Sequence, residues 1–155
     1  MKRINLGSAA YQTDQSDPAG YCNAMLRTGE ALGALRTGAS AYDLPPGQAI
    51  CPYHYEYGEE EWLLVLSGRP TLRHPDGSDP LEPLDLVFFP DGPAGAHAVR
   101  NETDEPVRVL MFSTRTVPAV AYYPDSGKIG VWTGNEADNV LALRPPNVDY
   151  WEGER

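Results

Sequence analysis

Glycine and proline interrupt this chain so often that no stretch of it can run long as a regular helix. There are 15 of each in 155 residues, and both residue types break helix interiors and mark turns. Between them lie short apolar runs. Glu61-Trp-Leu-Leu-Val-Leu66 stops at Ser67-Gly68, and Leu86-Val-Phe-Phe89 stops at Pro90-Asp91-Gly92. Short runs bounded by turn clusters read as strands. Others are expected at Ala41–Leu44, Ala96–Arg100, Val107–Phe112 and Val120–Tyr123, with Arg69–Arg73 folding back on the 61–66 run as a hairpin and 74–80 forming a turn. With no helix-period segment between the strands, the pattern predicts an all-β sandwich or barrel of antiparallel hairpins. Its core would come from Leu44, Leu64, Leu66, Leu72, Val87, Phe89, Val99, Val109 and Met111.

The hydrophobic share, 41%, is enough for one core and hardly enough for two. We therefore expect one domain over 1–155, with a barrel at about 38–114, an N-terminal arm at 1–37 carrying one or two short strands, and a C-terminal tail at 115–155, irregular from Ser126. Acidic residues outnumber basic ones by 22 to 12, a formal charge of −10. Such a surface repels a phosphate backbone or an anionic membrane, so nucleic acid and lipid are poor partners. No signal-peptide core and no apolar run of membrane-spanning length is present, which predicts a soluble, cytoplasmic protein. Cys22 and Cys51 lack the spacing of a zinc or redox pair and are expected as reduced thiols.

The chain has three histidines, and two of them stand at strand edges beside carboxylates. His54 and Glu56 are two apart, so an extended backbone turns both to one face. Glu61 opens the next strand and could return to that face, and His97 would arrive from a separate strand after the turn at 90–95. Two imidazoles and two carboxylates converging on one point need a compensating cation, and they suit a divalent transition metal such as Zn, Mn, Fe or Ni. His74, in a turn, is expected in solvent. Arg69, Arg73, Arg100 and Arg108 are expected in surface ion pairs. Tyr53, Tyr55 and Tyr57 alternate with these residues and should face away from them.

At these residues the chain resembles the cupin superfamily. The stretch from Gly47 through His54, Glu56 and Glu61 to Gly68 is similar to the first cupin motif, G-x5-H-x-H-x(3,4)-E-x6-G, and the Glu61-to-Gly68 spacing fits without adjustment. The stretch from Leu84 through Pro90, Gly92 and His97 to Asn101 is similar to the second, G-x5-P-x-G-x2-H-x3-N. The resemblance implies a double-stranded β-helix, or jelly-roll, barrel with one metal held by His54, Glu56, Glu61 and His97, and a homodimer. Glu56 stands where the family's second histidine belongs, and Leu84 replaces a glycine. One extra residue precedes His54, and two more separate Gly92 from His97. These departures indicate a divergent member that either acts on a small organic molecule, as a metal-dependent oxygenase or isomerase, or binds a sugar or metabolite without chemistry, its metal structural or absent. No general base is identifiable from the sequence.

Overall fold

A computed structural model describes residues 1–154. The short runs form strands, which assemble in three antiparallel sheets. In chain order they are β1 (Gln12–Thr13), β2 (Ala24–Leu26), a short helix α1 (Thr28–Leu32), β3 (Thr37–Leu44), β4 (Tyr55–Tyr57), β5 (Glu61–Ser67), β6 (Thr71–His74), β7 (Gly77–Pro80), β8 (Leu86–Phe89), β9 (Ala98–Arg100), β10 (Val107–Thr114), β11 (Ala119–Tyr123), β12 (Lys128–Trp132) and β13 (Val140–Leu143). The largest sheet has the order β1-β2-β3-β10-β5-β8, the second β13-β12-β11-β4, and the third β7-β6-β9. Non-sequential neighbours such as β3-β10-β5 are the crossovers of a jelly roll, the expected all-β barrel. No helix among the described residues is long and apolar enough to cross a membrane.

The core is a cluster of Leu44, Leu63, Val65, Leu72, Leu81, Phe89, Val99, Val107 and Val109. Five of the expected core residues belong to it, and Val87 and Met111 pack half-buried against it. In β5 the expectation is wrong by one residue: Leu63 and Val65 point inward, while Leu64 and Leu66 point outward. Alternation could not decide this, because Trp62 to Leu66 is apolar at every position. The outer face repeats in register across the sheet, with Phe112 beside Trp62 and Trp62 beside Phe88 in one row, and Leu110, Leu64 and Leu86 in the next.

Other expectations also need correction. Arg69–Arg73 does not fold back on β5. Gly68 has φ +76° and lies so close to Val107 that an added Cβ would meet the Pro106 carbonyl at 2.7 Å, and the chain leaves it for the third sheet, where β6 pairs with β7 and β9. Residues 77–80 are strand rather than turn. All four are exposed, so pairing with β6 defines this strand and no apolar signal announces it. The segment from Ser126 carries β12 and β13, extending the β11 hairpin into a sheet. The N-terminal arm has its two short strands and also α1, a single turn and a half closed by Gly33 in the left-handed region. Leu84 takes φ +74°, so the turn keeps a glycine's conformation although the residue has changed.

Candidate metal centre

The two motif segments meet at one backbone pair. His54 N–H donates to the His97 carbonyl at 3.1 Å, and His97 N–H donates to the His54 carbonyl at 2.8 Å. A reciprocal antiparallel pair brings the two Cα atoms to about 5.5 Å and sends both side chains to the same face. The ring centroids lie 4.8 Å apart. Glu56 follows two residues later on the same face, and its carbonyl accepts from Gly92 N–H at 2.7 Å. Glu61 enters from the first residue of β5, on the inward side with Leu63 and Val65.

Both imidazoles are oriented by backbone carbonyls. Nδ1 of His54 lies 3.0 Å from the Pro52 carbonyl, and Nδ1 of His97 lies 2.9 Å from that of Gly95. Since a carbonyl only accepts, each Nδ1 carries the proton and each Nε2 presents a lone pair inward, the arrangement typical of metal-ligating histidine. The two extra residues before His97 build this device. They lie in a 3₁₀ turn, Pro93–Gly95, where Gly95 packs so tightly on Pro90 that no Cβ could fit. Phe89 stacks on His97 at 3.8 Å and Tyr123 on His54 at 5.7 Å.

Ligand atoms of His54, Glu61 and His97 all lie within 4.8 Å of one another. Glu56 approaches from the side, its Oε1 3.6 Å from His54 Nε2, while Glu61 Oε2 is 3.7 Å from His97 Nε2. No arginine or lysine pairs with either carboxylate among the described residues. Glu56 Oε2 and His97 Nε2 are buried with no hydrogen-bond partner. Orphaned polar atoms of this kind are rare in folded proteins. Lone pairs converging from the three side chains of His54, Glu61 and His97 fit a divalent cation, and two nitrogens with carboxylate oxygen are an acceptable donor set for Zn, Mn, Fe or Ni.

Burial displaces every titratable group here. Glu56 is pushed up to about 8 by burial and then by Glu61 and Glu59, and Glu61 up to about 7 by burial and then by Glu59. His97 falls to about 4 through burial and the proximity of His54, and His54 is also lowered, chiefly by burial. Around neutral pH the imidazoles are therefore neutral, Glu56 is largely protonated and Glu61 about half protonated unless a cation is present.

Sequence reasoning missed the residues that shape the hollow around this cluster. Tyr42, Cys51 and Met111 line it, together with His54, Glu61 and His97, in a volume of about 80 Å³. Cys51 Sγ lies 3.6 Å from His54 Nδ1, and burial pushes its thiol up to about 12, so it stays protonated. Tyr55 turns away from the histidines as expected, lying edge-on to Tyr57 and tilted against Tyr122. Phe89 borders the site through His97, whereas Trp62 and Phe88 pack together on the outer face. His74 is held by Asp79. Arg69, Arg73 and Arg108 form ion pairs, and Arg100 donates to the Gly47 carbonyl. Asn101, fully buried, ties the Leu44 and Glu105 carbonyls together and is structural.

Comparison with known proteins agrees with this fold. The family model for the Cupin domain matches residues 41–113. A sugar phosphate isomerase from a cupin superfamily, from Silicibacter pomeroyi, is similar over 92% of this chain and 93% of its own, at 26% identity and a TM-score of 0.80. A candidate sugar phosphate isomerase from Acidithiobacillus ferrooxidans is similar over 86% and 83%, at 28% identity and a TM-score of 0.74. The polyketide cyclase RemF from Streptomyces resistomycificus shares the fold at 20% identity and a TM-score of 0.63, over 77% of this chain and 83% of its own. Among curated proteins no match is found.

The displaced carboxyls and imidazoles carry a stability consequence for protein held in chelator. The two glutamates ionise near 4.5 when unfolded and near 7 and 8 when folded, so the folded state retains their protons and loses stability as pH rises through that window. His97, near 6.5 unfolded and 4 folded, acts oppositely and only below about 6.5. Thermal melts in chelator should therefore show a falling midpoint from pH 6.5 to 8. Saturation with zinc should abolish the fall. A midpoint that does not move over that interval in chelator would contradict the burial of the two carboxyls.

Proposed function

The chain belongs to the cupin superfamily, and from that premise we propose that it holds one divalent metal and isomerises a small hydroxycarbonyl compound by proton transfer. His54, Glu61 and His97 would hold the metal. When bound, the ion would polarise an oxygen of the ligand and stabilise negative charge developing there.

The observation that carries the reading is the position of Glu56. It sits beside the ligand cluster rather than within it, and burial lifts its carboxyl to about 8 before any cation enters. A carboxyl that exchanges its proton near neutral pH is matched to general acid and base work. One such group can take the proton from the hydroxyl-bearing carbon next to a carbonyl and return it to the former carbonyl carbon, while the hydroxyl proton passes to the former carbonyl oxygen, which isomerises a hydroxycarbonyl compound without an oxidant. The glutamate that replaces the family's second histidine thus becomes the proton carrier. Tyr42 and Tyr123, both raised to about 12 by burial, stay protonated and can donate hydrogen bonds to a ligand oxygen. The two sugar phosphate isomerase structures, each similar over more than four-fifths of this chain, support the same reaction class.

We further propose a homodimer, paired through the outer face of the largest sheet. Trp62 lies 4.6 Å from Phe88 and stacks parallel to Phe112 at 6.1 Å, and Leu84, Leu86 and Phe88 remain 76%, 56% and 41% exposed. A ridge of this kind on an unpaired edge strand seeks a partner surface, and a second copy offers the same ridge in two-fold symmetry.

Two measurements test these readings. Solvent deuterium should appear next to the carbonyl of aldose and ketose phosphates incubated with metal-supplemented protein. Glu56→Gln should slow that exchange by roughly 10²- to 10⁴-fold with metal content unchanged. Metal retention with no exchange on any member of the panel would favour the non-catalytic binding cupin. Light scattering after gel filtration should report a dimer that Leu86→Glu with Phe88→Glu converts to monomer; a monomeric parent protein would refute the pairing.

A further inference from the structure

The hollow at the metal centre, about 80 Å³, has room for roughly two or three waters. It can take only the reacting end of an organic ligand. The rest must lie along the barrel mouth, and strand alternation determines what it would meet there. Inward positions of β10 run Val107, Val109, Met111, Ser113, with Arg115 continuing the series, and those of β3 run Leu44, Tyr42, Ser40, Gly38. From core to mouth the wall therefore changes from hydrocarbon through hydroxyl to guanidinium.

Three hollows follow this gradient. The metal cavity shares Tyr42, Glu61 and Met111 with a second space of about 120 Å³. That space shares Gly38, Ser40 and Ser113 with an open groove of about 350 Å³, whose walls include Arg27 and Arg115. Gly38 lies at the passage between them. A Cβ there would come within 2.8 Å of Ser113 Oγ, so glycine keeps it wide.

Arg69, Arg73 and Arg108 each have a carboxylate partner, whereas Arg27 and Arg115 form no ion pair among the described residues. Two acidic residues also border the groove. Glu59 is already engaged, accepting from Thr116 N–H at 2.5 Å and from its hydroxyl at 3.0 Å, and Glu30 stands exposed at the rim on α1. We propose that Arg27 and Arg115 form an anion subsite that holds the phosphate monoester of a small hydroxycarbonyl substrate whose reacting end lies at the metal centre. The substrate class rests on the isomerase reading above. A phosphate monoester suits the place because its three terminal oxygens can engage two guanidinium forks and the neighbouring hydroxyls together.

The test uses full-length protein and inorganic phosphate as probe, with affinity measured by calorimetry and zinc uptake measured on the same samples. Arg27→Gln and Arg115→Gln should each weaken phosphate roughly tenfold or more, and the double variant should abolish binding. Arg69→Gln, a control arginine paired with Glu82, should bind as the parent does. Both groove arginines are exposed, so circular dichroism should be unchanged, and Arg115→Lys should recover part of the loss. Phosphate affinity intact in the double variant, or lost equally in Arg69→Gln, would overturn the subsite. Phosphate binding of the expected pattern without zinc uptake would uphold the subsite and remove the metal reading. Zinc uptake with no phosphate binding would do the reverse.

Discussion

Everything at the proposed centre depends on the pair of backbone hydrogen bonds between His54 and His97. It joins two segments more than forty residues apart in sequence, aligns two imidazoles at 4.8 Å, and brings Glu56 to the same face. The barrel around it buries both imidazoles. The site thus concentrates nitrogen lone pairs and carboxyls in a place where neither charge nor unpaired polarity is well tolerated. Protonation relieves the repulsion when no cation is there, and a divalent ion would relieve it better.

The same constraint explains which parts of the molecule were legible in the sequence. Turn punctuation located β5, β8 and β10, and the two motifs located His54, Glu61 and His97, because spacing along an extended backbone dictates facing. Register in β5 was hidden, since Trp62 to Leu66 is apolar on both faces. β7 and β13 were hidden for a different reason. Their residues are exposed, and these strands exist through pairing with β6 and β12 rather than through burial. Cys51, Tyr42 and Met111 line the site without any motif to mark them, because long-range packing alone brings them there. Glu56 was visible as a departure from the family pattern, but its place beside the three-residue cluster needed coordinates.

Along the inward faces of β3 and β10 the barrel changes character within a few residues. The inner half is hydrocarbon and supplies the core. Tyr42, Met111 and Glu61 line the cavity, and beyond them the wall offers hydroxyls and then Arg27 and Arg115 at the mouth, which have no ion-pair partner among the described residues. A gradient of this kind orients a ligand with one end dry and the other charged. It also lets one sheet serve stability at its base and recognition at its rim. The overall charge of −10 makes a localised pair of free arginines more selective, since the surrounding acidic surface would repel anions that do not reach the groove.

The central claim is that the buried cluster is built for a cation. Calorimetric titration of zinc into chelator-stripped protein near pH 7, repeated in two buffers of different ionisation enthalpy, tests it most directly because it counts both ions bound and protons released. The account predicts one ion per chain and net proton release, since the ligand carboxyl of Glu61, raised to about 7, must give up its proton as the ion enters. His97→Ala should abolish the binding. Heats too small for stoichiometric binding, or uptake that survives His97→Ala unchanged, would contradict it.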